Sequence, residues 1–180
     1  MPDERLLSLE EARSRILQDV LPLRPERVPL SEALGRVLAE DTLALLTSPP
    51  WDNSAMDGFA VRSDDVATAT PAAPVRLAVS GEVAAGHGPG TTVHPGTAVR
   101  ILTGAMLPPG ADAVVPVEAT DAAMGVAALP EVVSIRAPAA VGAHIRLAGS
   151  DIHQGDPLLP AGTRIGPAAV AALAATGHAH

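Results

Sequence analysis

The spacing of apolar residues changes character along the chain. Leu9, Ala12, Ile16 and Val20 recur at three- and four-residue steps, the spacing of one helical face. Ser8-Leu9-Glu10-Glu11 opens that stripe as a capping box: Ser8 accepts from the third helical N–H while Glu11 reaches back. The pattern predicts an amphipathic helix over 9–21 that stops before Pro22, with its charges solvated and its stripe packed on another element. Pro22 to Pro29 reads as a linker, Ser31 to Gly35 as a short second helix, and Val37 to Leu46 as strand-like. From Val75 the pattern becomes one of short strands. Val75 to Val79 and Thr97 to Leu102 alternate, and Ala113 to Val117 is a continuous apolar run. Val126 to Leu129 and Glu131 to Ile135 read as a further hairpin, with Pro and Gly punctuating the intervals. Pro157 to Thr163 reads as a strand entering a turn. Pro167 is placed to begin a last helix through Ala175, with Gly177 as its stop.

These elements predict an α+β fold, mostly β. A β-barrel-like domain over 47–143 is expected as an insertion into an elongated α/β domain formed from both chain ends, 1–46 and 144–180. The Ala-rich last helix is small enough to pack closely on the first.

Composition narrows the possibilities. Aromatics make up only 1% of a chain that is 47% hydrophobic, so the core must be built from Ala, Val, Leu and Ile. The 12 basic side chains are all Arg, and the net charge of −8 argues against nucleic acid or an anionic membrane as the main partner. With no cysteine there is no disulfide, thiolate metal site or Cys nucleophile. The acidic start Met1-Pro2-Asp3-Glu4-Arg5 does not resemble a signal peptide, and no apolar run approaches a membrane span. A soluble, cytoplasmic protein is expected.

The densest chemistry lies in Pro49-Pro50-Trp51-Asp52-Asn53-Ser54-Ala55-Met56-Asp57-Gly58-Phe59-Ala60-Val61, which holds the only Trp and the only Phe. The prolines make a stiff extended entry, Asp57-Gly58 is a turn signal, and Phe59 begins a strand. A loop of acceptors pinned by aromatics can present a polar site. An ordinary Asx-turn plugged by Trp51 and Phe59 explains the same residues. Elsewhere the six histidines are scattered without metal-ligand spacing, and there is no P-loop or GxGxxG. Asp52, Asp57, Asp112, Glu118, Asp151 and Asp156 fall at turns or strand ends, where a cluster would suit Mg²⁺. Arg100 and Arg146 can bind an oxyanion through paired donors, and Thr103-Gly104 ends a strand with a hydroxyl and an exposed backbone turn.

Taken together, Ser31 to Asp41, Asp52 to Val61, Val99 to Ala105, Gly110 to Glu118, Gly149 to Ile152 and Pro157 to Thr163 resemble the molybdopterin molybdenumtransferase family. Its eukaryotic relatives include the gephyrin C-terminal region. The resemblance runs over nearly the whole chain, and the Asp-Asn-Ser-Ala-Met-Asp-Gly block at 52–58 is its most specific part.

The resemblance implies a Mg²⁺-assisted reaction of molybdate with adenylylated molybdopterin, giving molybdenum cofactor and AMP. It also implies a homodimer whose cleft lies between the molybdopterin-binding module of one subunit and the β domain of the other. That module follows the region represented here, so the chain is expected to contribute the accessory half of the site and to be inactive alone. Carried over by motif, Asp57, Thr103 and Asp151 are the expected catalytic residues. Asn53, Ser54, Gly104 and Arg146 are expected to bind substrate, and Glu118 is a weaker metal candidate. Thr103 and nearby backbone N–H groups would donate to a phosphate or pterin oxygen. The competing expectation is a binding or scaffold module that keeps the fold without the chemistry.

Overall fold

The computed structural model describes residues 6–21, 23–123 and 128–180. Helix α1 (Leu9–Gln18) forms where the periodicity places it, and both reciprocal bonds of its capping box are made. Its apolar stripe, however, has no cover: no residue of α1 is buried, and Leu9, Ile16 and Leu17 are exposed. The expected packing of the first helix on the last does not occur. The segment 23–29 has no regular structure and is almost wholly exposed. Three expectations fall outside the described residues: the acidic start at 1–5, Pro22 as helix stop and linker start, and the 126–127 half of the predicted strand over 126–129. Its remaining residues, 128–129, are not strand.

Beyond the linker lies β1 (Thr42–Leu43), then β2 (Asn53–Ser54), β3 (Gly58–Val61) and the short helix α2 (Ser63–Val66). The chain continues as β4 (Val75–Val83), β5 (Thr97–Ile101), β6 (Ala113–Pro116) and β7 (Val132–Ile135). It closes with β8 (Ile145–Arg146), β9 (Pro157–Leu159) and helix α3 (Pro167–Ala175). The fold is mostly β, as expected. The predicted helix at 31–35 is a single 3-10 turn over Leu30–Glu32, and only Thr42–Leu43 of the strand-like stretch 37–46 pairs as a strand.

Strands β6-β3-β5-β4-β7, in that order, form a five-stranded curled sheet in which only β4 and β5 run parallel. All its strands come from residues 58–135. Strand β3 is buried along its whole length. Phe59 and Val61 pack into one cluster with Val66, Leu77, Val115, Val133 and Ile135. Ala60 faces a second cluster holding Val83, Val99, Ile101 and Val114. A strand covered on both faces explains the unbroken apolar run Phe59-Ala60-Val61. Beyond β6, residues 119–121 turn back to β7 at the opposite edge. There Arg136 N–H donates to the Ala119 carbonyl and Asp121 N–H to the Ser134 carbonyl, curling the sheet toward closure.

Gly58 corrects a sequence expectation. It is not a positive-φ turn residue but the first residue of β3, and a Cβ there would lie 2.1 Å from the Val115 carbonyl oxygen. Close backbone approach, not turn geometry, requires the glycine.

The segments flanking the sheet in sequence pair with each other. β1 pairs with β9 and β2 with β8, both antiparallel, while Ser48 bridges Ile152 and Val37 bridges Arg164. Helix α3 starts at Pro167 as predicted, packs against the 30–32 turn and β9, and buries Leu173.

The uncovered α1 stripe and the buried β3 strand respond differently to truncation. Phe59→Ala is expected to destabilise the chain by about 3–5 kcal/mol. Ile16→Ala removes little buried area and stays within about 0.5 kcal/mol. Urea unfolding of the two variants measures both, and comparable losses would show that α1 is covered in solution.

Candidate functional site

The stretch 48–57 runs between two other pieces of backbone. On one side, Ser54 N–H donates to the Ala105 carbonyl, Gly104 N–H to the Ser54 carbonyl and Leu107 N–H to the Asp52 carbonyl. On the other, β2 pairs with β8, setting Asn53 opposite Arg146 and Ser54 opposite Ile145. The Ser48–Pro49 peptide is cis. The carbonyl of Pro49 accepts from Gly149 N–H, and that of Ser48 from the N–H groups of Asp151 and Ile152. A three-stranded ribbon results, with the sequence's most specific motif as its middle strand.

Past one end of that middle strand lies Asp57. Its Oδ1 accepts two hydrogen bonds from Thr103, at 2.7 Å from the backbone N–H and 2.6 Å from the hydroxyl. Both residues are exposed, on the same part of the surface. The Thr103 hydroxyl bond contributes most to holding the Asp57 carboxyl below its ordinary pKa, and the Thr103 backbone bond adds to it. Asp57 is therefore ionised at neutral pH. An ionised carboxylate only accepts, so the Thr103 hydroxyl proton must point at it.

In this geometry Thr103 and the nearby N–H groups, expected to donate to a ligand, are engaged within the chain. Thr103 gives both donors to Asp57, Gly104 N–H goes to Ser54 and Ala105 N–H to the Leu102 carbonyl. What the surface offers here is acceptors. Gly104 is exposed with open space beside it, and its φ of +79° is what requires glycine.

On the ribbon's other outer strand, Arg146 reaches Asp151 through Nη2, 2.9 Å from each carboxylate oxygen. Both side chains are about half exposed, so the pair is worth roughly 0–1 kcal/mol and opens readily. Asn53 and Ser54, expected to touch substrate, are buried. Ser54 Oγ donates to the Met56 carbonyl at 2.6 Å and accepts from Met56 N–H, while Asn53 Nδ2 donates to the Trp51 carbonyl. Both side chains shape the loop from within.

Glu118 is exposed in a 3-10 turn over Val117–Ala119, whose first N–H donates to the Asp57 carbonyl. Arg100 pairs with Glu82 on the neighbouring strand. Among the described residues no three His, Asp or Glu side chains come together in a way that could hold a metal ion. Sequence reasoning also missed that Asp52 accepts from Ala148 N–H at 2.8 Å through Oδ1. Nothing in the local pattern signals a bond between residues 96 positions apart. Among the described residues no helix is long and apolar enough to cross a membrane.

Comparison with known proteins places this geometry in context. Residues 7–177 match the family model described as MoeA N-terminal region, domains I and II. A molybdopterin molybdenumtransferase of Synechococcus elongatus is 45% identical over 96% of this chain and 42% of its own length. Molybdopterin molybdenumtransferase 2 of Mycobacterium tuberculosis is 43% identical over 94% of this chain and 40% of its own. The crystal structure of a molybdopterin biosynthesis MoeA protein from Pyrococcus horikoshii OT3 superimposes with a TM-score of 0.84 at 36% identity. That match covers 97% of this chain and 45% of the other. The chain thus spans less than half the length of these relatives.

The lowered pKa of Asp57 gives a signed pH dependence. A depressed folded-state pKa means that the contact's contribution is fully present above the unfolded value, about pH 4, and is lost as pH falls through the folded one. The Thr103 amide resonance should therefore hold steady from neutrality down to about pH 4 and move only below it. In Asp57→Asn that acid transition should vanish. A Thr103 shift that titrates near neutrality would contradict the geometry.

Proposed function

The chain belongs to the family of the MoeA N-terminal region, and from that premise we propose that it supplies the accessory face of a molybdopterin molybdenumtransferase site. The reaction is insertion of molybdate into adenylylated molybdopterin with release of AMP. The observation that carries this reading is the ribbon itself. It puts Thr103 at one side of the middle strand, Arg146 at the other and Asp57 past its end, and Asp57, Thr103, Arg146 and Asp151 are all exposed.

The two pairs divide the work by charge. Molybdate and phosphate are anions, and an ionised Asp57 repels them. Its free role is to accept from a substrate N–H or a water and so orient the ligand. Arg146 is the group that can meet an oxyanion, because its bond to an exposed carboxylate gives up little when exchanged for a bidentate contact. Asp151 then keeps the guanidinium aimed until the anion arrives. Asn53, Ser54 and Gly104 act by holding the loop in shape. Since the described residues do not assemble a metal site, no step is assigned to Mg²⁺ through them.

In this reading the molybdopterin-binding module is a partner, and the working unit is a homodimer with an inserted β domain at 47–143. The uncovered apolar stripe of α1 supports a need for further protein surface.

The test uses molybdate, adenylylated molybdopterin and Mg²⁺, with formation of molybdenum cofactor and release of AMP as readouts. The chain alone should be inactive. Mixed with the part of the Synechococcus elongatus relative that it does not match, it should restore turnover. Asp57→Asn should lower that turnover on the order of ten- to a hundredfold while leaving the chain folded. Turnover by the chain alone, or an Asp57→Asn mixture as active as the parent, would reject the reading.

A further inference from the structure

Thr103 and Arg146 belong to opposite sides of the ribbon, so the usefulness of the two exposed pairs to one ligand depends on what fixes one side relative to the other. Most bonds across the ribbon join backbone to backbone and would form with almost any side chains. Asp52 differs. Its carbonyl accepts from Leu107 N–H at 2.9 Å on the strand that follows Thr103. Its carboxylate accepts from Ala148 N–H at 2.8 Å in the loop between Arg146 and Asp151. One residue thus grips both outer strands. Of its two contacts, only the one to Ala148 depends on which amino acid stands at 52.

We propose that Asp52 is a positioning residue: its carboxylate fixes the Arg146–Asp151 pair relative to the Asp57–Thr103 contact. A carboxylate suits the task because it carries no donor that could turn the bond around, and its charge strengthens a bond to an amide N–H. Ala148 stands two residues after Arg146 and three before Asp151. Releasing its N–H loosens the loop that carries both members of the pair. Arg146 is also paired with Asn53, Ser150 N–H donates to the Leu147 carbonyl, and the far end of the loop is tied to the Ser48 and Pro49 carbonyls. Among the described residues, the Asp52 bond is thus the only side-chain tie reaching the Ala148 turn from the middle strand. The consequence for catalysis rests on the function proposed above; the placement itself does not.

Two variants separate this role from a general structural one. Asp52→Asn keeps an acceptor oxygen at the same place, whereas Asp52→Ala removes it. In the 180-residue chain, Asp52→Ala should speed amide hydrogen exchange at Ala148 roughly tenfold or more. Gly149 and Asp151 should follow more weakly, and β3 and β6 amides should keep their protection. Asp52→Asn, which keeps an acceptor but loses the charge, should fall between the parent and Asp52→Ala, nearer the parent. In the reconstituted mixture, Asp52→Ala should lower kcat about tenfold with a smaller change in KM, and Asp52→Asn should rescue most of that loss.

Unchanged exchange at Ala148 in Asp52→Ala would overturn the proposal. So would faster exchange with unaltered turnover, or equal loss of protection in the β3 core, which would make Asp52 merely structural. A parent mixture without turnover would reject the proposed function instead, and the exchange pattern would still decide whether Asp52 fixes the loop.

Discussion

Everything polar in this site is arranged around a strand with no room for it. β3 is buried on both faces, and Gly58 lets its backbone approach that of β6 more closely than any Cβ would allow. The fit leaves Phe59, the only Phe in the chain, to fill the larger core with one aromatic ring. A polar side chain cannot be placed along such a strand without burying an unpaired group, so chemistry is pushed to its ends. Asp57 is the first residue beyond the buried run on the N-terminal side. Because β5 pairs antiparallel with β3, Gly58 lies opposite Ile101 and the chain just past Ile101 must rise beside Asp57. Thr103 meets Asp57 for that reason.

The same constraint decides what the surface can recognise. Turning the chain after β5 requires its N–H groups to find partners near the core, and they find the Asp57 carboxylate, the Ser54 carbonyl and the Leu102 carbonyl. Donors are used in making the turn, and acceptors are left facing outward. With a net charge of −8 and no lysine, the permanently charged side chains available to an anion are guanidinium groups in particular places. Arg146 is one, on an exposed strand whose carboxylate partner is easily replaced.

The sequence was informative where the physics is local. The capping box of α1, the proline start of α3 and the strands β4 to β7 follow from neighbours a few residues apart. It failed where the answer depended on distant backbone. Gly58 reads as a turn glycine until Val115 is placed beside it, and Thr103 reads as a free hydroxyl until Asp57, 46 residues away, claims its proton. Asn53 and Ser54 look like ligand contacts because polar side chains in a motif usually are, yet they satisfy the loop's own carbonyls. The family motif alone does not show which of its residues face outward.

The α1 stripe marks the opposite kind of failure. Its periodicity is that of a helix, but periodicity specifies only that a face is apolar, not what lies against it. An exposed helix of ten residues is marginal in water on propensity alone. Its capping box, with acidic residues in the first turn, lowers the cost of forming it without a core. The pH behaviour of that cap has the same sign as that of Asp57. Glu11 is held below its ordinary pKa mainly by the Ser8 backbone bond and then by the Ser8 side chain, so the cap is intact at neutral pH and lost only in acid. A helix stabilised at its end rather than along its face can keep its shape while its apolar side remains available to another surface.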